Sequence, residues 1–95
     1  MENIMPSTNA GGWTEFSAPI SKEALAVFTK AVSPLLGVSY KPIAVATQVV
    51  SGINYQFFSN AKAVYPGAHN YAVIIHIYAP ATGEPHITSI NTITP

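Results

Sequence analysis

The groups that could do chemistry are few. His69, His76 and His86 are the only histidines, four glutamates are the only carboxylate side chains, and there is neither aspartate nor cysteine. Two histidines with a carboxylate can hold zinc, but these three lack helical i,i+4 spacing and have no thiolate near them. Ser51 stands outside any G-x-S-x-G pattern, and no aspartate exists to complete a triad. Gly83-Glu84 is too short for a phosphate-binding loop. The chain therefore reads as a non-enzyme needing no cofactor or metal. Its four lysines, without arginine, balance the glutamates to a formal net charge of zero. Phosphate neutralisation needs clustered cations, so nucleic acid is not the expected partner. No basic amphipathic face and no apolar run of about 18 residues points to a membrane. The absence of cysteine fits a reducing compartment. Met1–Ala10 lacks a basic and then apolar leader pattern, so the expectation is a cytoplasmic, soluble protein.

These side chains must be positioned by a single small domain. Ninety-five residues, 48% hydrophobic and 8% charged, are too apolar for disorder and too few for two cores. Residues 1–12 carry Pro6, Asn9, Gly11 and Gly12 without periodicity and read as a flexible arm, with one domain over 13–95. Trp13–Ser17 alternates as a short first strand would. Ser21 is a candidate N-cap, with Glu23 at the positive end of the dipole and Ile20 and Leu25 spaced as a hydrophobic staple. Ala24, Leu25, Phe28, Ala31, Val32 and Leu35 form one stripe, which predicts a helix over 21–36 with Gly37 as C′. Strand patterns follow at 41–51, 53–64, 71–78 and 85–94. Turn signals at Ser51-Gly52, Pro66-Gly67 and 79–84 separate them. In the third strand Val73, Ile75 and Ile77 should face the helix, and Ala72, Ile74, His76 and Tyr78 should face outward. The fold class is α+β, one helix on an antiparallel meander of four or five strands.

Gln48-Val49-Val50-Ser51-Gly52 falls at the turn between the first two long strands. Stiff β-branched bulk at Val49 and Val50, a reversal at Gly52 and an amide at Gln48 make a rigid, apolar-tipped hairpin. This segment resembles the Gln-x-Val-x-Gly hairpin of the cystatins, reversible inhibitors of papain-like cysteine proteases. Gly11-Gly12 before a single helix, a proline near the helix end and a last loop with Pro80 extend the resemblance over residues 10–93. Without cysteines, the chain is most similar to the disulfide-free stefin class. The resemblance implies a tripartite wedge for a protease cleft: Ala10, Gly11 and Gly12 in the arm, Gln48, Val49, Val50, Ser51 and Gly52 in the first hairpin, and Pro80, Gly83 and His86 in the second loop. A non-inhibitory binding module on the same scaffold is the alternative, because one fold hosts unrelated functions.

Three departures from the family pattern bear on strength and target. Asn9 and Ala10 stand where an apolar residue usually precedes the N-terminal glycine. The second loop lacks a Pro-Trp pair, and the stretch from Pro34 to Gln48 is short. Val49 and Val50 also favour extended backbone, so a monomer that bends them near the turn should be able to open into a domain-swapped dimer. Because the arm offers so little apolar area, deleting residues 1–10 is expected to weaken papain inhibition by no more than about 1–2 kcal/mol, or roughly five- to thirtyfold. Inhibition constants of the truncated and full chains check this, and a loss of several thousandfold would show that the arm fills a pocket.

Overall fold

A computed structural model describes residues 12–93. One helix, α1 (Lys22–Val32), is followed by four strands, β1 (Val38–Val50), β2 (Gly52–Ala63), β3 (Asn70–Ala79) and β4 (His86–Thr92). The strands pair in chain order as one antiparallel sheet. The architecture is cystatin-like, with a single helix packed on a four-stranded meander. Among the described residues no helix is long and apolar enough to cross a membrane.

The helix begins where capping chemistry dictates. Ser21 Oγ accepts from the Ala24 amide at 3.1 Å, Glu23 sits in the first turn and Lys30 in the last. It ends earlier than the stripe predicts. Ser33, not Gly37, closes it, with its amide donating to Thr29 O at 3.0 Å. Pro34 cannot donate to the ladder, so Leu35 and Leu36 fall beyond the helix. Leu36 is 92% exposed, and Leu35 and Leu25 are also exposed rather than part of a continuous stripe. Ile20 still packs on the core, but Leu25 does not complete the buried face.

The buried face is therefore narrow, made of Ala24, Phe28 and Ala31. Small residues on either side of Phe28 let the helix approach the sheet closely. Phe28 meets Phe57 edge-on, with ring centroids 4.9 Å apart, and Tyr55 stacks on Phe57 at 5.5 Å. Val45, Ala61, Val73, Ile75 and Ile77 complete the layer. The period-2 assignment of β3 holds: Val73, Ile75 and Ile77 are buried, whereas Ala72, Ile74, His76 and Tyr78 are half-buried on the opposite face. Ser59 is buried in this apolar layer and satisfies its hydroxyl by donating to Phe57 O at 3.2 Å. Burial first, and the charge of Glu23 second, push the Tyr55 phenol above the ordinary tyrosine range.

Trp13–Ser17 is not a strand. It touches the outer edge of β1 at two isolated bridges, Trp13 to Gln48 and Ser17 to Val45. Thr14 amide donates to Thr47 O at 2.9 Å, and Ser17 and Val45 exchange a pair of 3.0 Å bonds. The short first strand that the alternation predicts is therefore not formed, because five residues make too few ladder bonds with the edge of β1. Two irregularities adjust the meander. Ile43 is an extra residue between Pro42 and Ala44 in β1, and Thr88 is an extra residue in β4 opposite the His76–Ile77 step.

Truncating Phe28 to Ala should cost about 3–5 kcal/mol of unfolding free energy, because it empties the only large helix position against Phe57. Leu36→Ser should lie within about 0.5 kcal/mol of the parent. Urea unfolding of the two variants checks the contrast.

Candidate functional site

The turn between β1 and β2 is as short as a hairpin can be made. Val50 pairs with Gly52, which leaves Ser51 alone at the apex. Val49 and Val50 are not bent, contrary to the sequence expectation. Both belong to β1 with extended backbone, and the reversal is taken up by Gly52 at φ +102°. That conformation suits glycine and strains any residue with a Cβ. Their side chains remain in water: Val49 is 46% and Val50 39% exposed. Behind them Gln48 Oε1 accepts a hydrogen bond from Asn54 Nδ2 at 2.9 Å, which ties the two strands together across the hairpin.

The second loop, residues 80–85, lies against this hairpin. A Cβ placed on Gly52 would sit 2.4 Å from Ala79 O, 2.9 Å from Pro80 Cα and 3.1 Å from Tyr78 Oη. Only a glycine permits main chain to approach main chain this closely. The Tyr78 hydroxyl donates to Ser51 O, the carbonyl at the hairpin apex. Tyr78 and His86 are cross-strand partners, and their rings meet edge-on with centroids 5.8 Å apart. His86 Nδ1 lies 3.5 Å from Glu84 O. Gly83 has φ +119°, and Pro80 Cγ is 3.4 Å from where its Cβ would be. Lys30 of α1 pairs with Glu84 at 2.8 Å, but both are exposed, so the pair steadies the loop only weakly.

The third component reaches the same end of the sheet through the Trp13–Gln48 bridge, which brings Gly12 beside the end of β1. A cleft of ≈ 170 Å³ opens there, lined by Trp13, Asn54, Tyr55, His76, Ile77 and Thr88. Ala10 and Gly11 lie outside the described residues. Of the remaining candidates, Gln48, Val49, Val50, Ser51 and Gly52 form the hairpin, while Pro80, Gly83 and His86 form or adjoin the loop beside it. His69 and His76 take no part in that contact. His69 lies between β2 and β3, and His76 faces Gln56 and Ser89 on the outer face of the sheet. Among the described residues no three metal-binding side chains cluster.

Three residues that hold this end together escaped the sequence reading: Asn54, Tyr78 and Ala79. Tyr78 was assigned to the outward face, but its link to Ser51 depends on the pairing of β2 with β3, in which Asn54 stands opposite Tyr78. No local pattern encodes that register. Comparisons with protein-family models, with curated proteins and with solved structures find no match to this chain. Its likeness in fold therefore rests on element order, topology and packing.

If the contact at Gly52 holds the two loops together, Gly52→Ala should cost about 1–3 kcal/mol through strain and displaced backbone. Tyr78→Phe should cost about 0.5–1.5 kcal/mol by removing one hydrogen bond. Hydrogen exchange at the 51–53 amides should accelerate in both variants, and unchanged protection would show that the loops are independent.

Proposed function

We propose that this chain is a reversible, competitive inhibitor of papain-like cysteine proteases, acting as a wedge in the active-site cleft. The observation that carries this reading is the convergence at one end of the sheet. An apolar-tipped hairpin, a proline-containing loop packed on it through Gly52, and the segment bridged to Gln48 by Trp13 lie together at that end. A papain-like cleft is a V-shaped trench with its thiolate at the bottom. A blocker of such a trench needs a thin rigid edge whose tip loses water on binding and whose backbone does not adapt to the nucleophile.

The chain has the parts for this. Val49 and Val50 offer β-branched side chains that are already extended and ordered by pairing with Ile53 and Gly52. Their entropy cost on binding is therefore low. The hydrogen bonds from Asn54 to Gln48 and from Tyr78 to Ser51 hold the apex against distortion. No bond is made or broken, so no catalytic group, metal or cofactor is required. Affinity comes from shape complementarity and from desolvating a small apolar anchor. Pro80, Gly83 and His86 add the second contact, and Ala10, Gly11 and Gly12 the third.

Titration of active papain with the full chain tests the proposal. Reversible competitive inhibition is expected, and none at micromolar concentration would favour a binding module without inhibitory action. Val50→Asp should weaken inhibition by at least about 100-fold, or ~3 kcal/mol, because a carboxylate would be buried against the enzyme without a partner. Its circular dichroism and melting temperature should match the parent, since Val50 is already half in water. Equal inhibition by variant and parent would exclude the hairpin as the anchor.

A further inference from the structure

The two edges of the sheet are protected very differently. On the outer edge of β1, Thr14 and Ser17 occupy part of the backbone ladder, and the remainder carries Lys41, Pro42 and the extra residue Ile43. Covering segments, lysine, proline and bulges are the devices that keep sheet edges from pairing with other chains. Among the described residues, β4 has none of the first three along its length. Its sequence, HITSINT, contains no lysine, glutamate or proline. It pairs only with β3 among the described strands, so its other side has no ladder partner among the described residues. The bulge at Thr88 lies near its start, which leaves 89–92 in regular register with β3. Ile90 is 37% exposed at this edge.

We propose that β4 is a homotypic docking edge, where two copies of this chain pair β4 to β4, antiparallel, about a two-fold axis at Ile90. The occupant is a second copy because the edge is self-complementary. With the axis at Ile90, that residue stands opposite its own copy, and Ser89 stands opposite Asn91. Ile90 pairs with the buried Ile75, so it belongs to the helix-bearing face, whereas Ser89 and Asn91 pair with His76 and Ile74 on the other. Apolar side chains therefore meet apolar side chains, and hydroxyl meets amide. A one-residue slip would bring Ile90 against the wrong face. Charge also permits the match. The edge carries no formal charge at neutral pH, and the whole chain is neutral, so a second copy meets no long-range repulsion. The product is a continuous eight-stranded sheet with β1 at both outer edges, where each edge is already guarded. Antiparallel pairing places the two hairpin ends at opposite extremes, away from the new strand pair.

Sedimentation equilibrium of the full chain tests the assembly directly, without reference to any protease. A reversible monomer–dimer equilibrium is expected in the micromolar range. Ile90→Lys, which sets a lysine against its own copy, and Ser89→Lys, at an already exposed position, should both remain monomeric with parental circular dichroism. The absence of native cysteine makes a single introduced thiol a clean probe. Ile90→Cys should oxidise to a disulfide-linked dimer at least about tenfold faster than Leu36→Cys, because opposed strand residues lie about 4.5–5.5 Å apart. The edge-paired dimer should still contact papain through both hairpins, whereas a dimer formed by opening the hairpin should not. A chain that stays monomeric to millimolar concentration overturns the proposal. So does a dimer that survives both lysine substitutions, or equal oxidation rates for the two cysteine variants.

Discussion

Phe57 lies wholly out of water, with Phe28 edge-on against it at 4.9 Å and Tyr55 stacked beside it at 5.5 Å. In a domain this small there is one helix to cover one face of the sheet, and Phe28 is the only large side chain on its buried side. Ala24 and Ala31 matter because they are small, letting the backbone of α1 come close enough for Phe28 to reach β2. Through β2 the contact fixes the middle of the sheet, and β1 and β3 inherit their places from pairing with it. The ends of the strands, where the loops lie, are set at a distance by this packing.

At the hairpin end the molecule uses a different kind of fit. Apolar side chains there are left in water, and the close contact is between main-chain atoms, at Gly52, Ala79 and Pro80. Hydrogen bonds from Asn54 and Tyr78 supply the rigidity that a core would otherwise provide. Such an end can hold its shape while presenting Val49 and Val50 to a partner. This separation of labour, with stability under the helix and a preorganised edge away from it, lets tip residues change without loss of the fold.

The opposite extremity is built more loosely. Leu35, Leu36, Val64 and Tyr65 are all exposed there, joined by a bond from the Val64 amide to Gly37 O. Ser39, Lys41, Asn60 and Lys62 line a shallow polar cleft beside them. The loops of this region show no close main-chain contact like that at Gly52: a Cβ added at Gly37 or Gly67 would meet nothing within 4 Å. Preorganisation is concentrated where β1 meets β2 and β3 meets β4, as expected if that end is the one that meets a partner.

Much of this was determined by the sequence alone. Period-2 alternation assigned the faces of β3, glycine and proline marked all three strand connections, and Ser21 marked the start of the helix, because each is a local effect of sterics or capping. The motif Gln48–Gly52 was placed at its turn by the same local rules. The helix end was misjudged because the apolar stripe runs on past Pro34, while the backbone stops where a donor is missing. Trp13–Ser17 was overextended because its length as a strand depends on how many ladder bonds a distant edge accepts. Only the tertiary structure decided that Ser59 is buried, that Ile43 and Thr88 are extra residues, and that Tyr78 reaches Ser51. The first follows from which face of β2 the helix covers, and the other two from the register between neighbouring strands of the meander. That register is set by how Phe57 and its neighbours fill the space beneath α1, a many-body packing condition that no short stretch of residues contains.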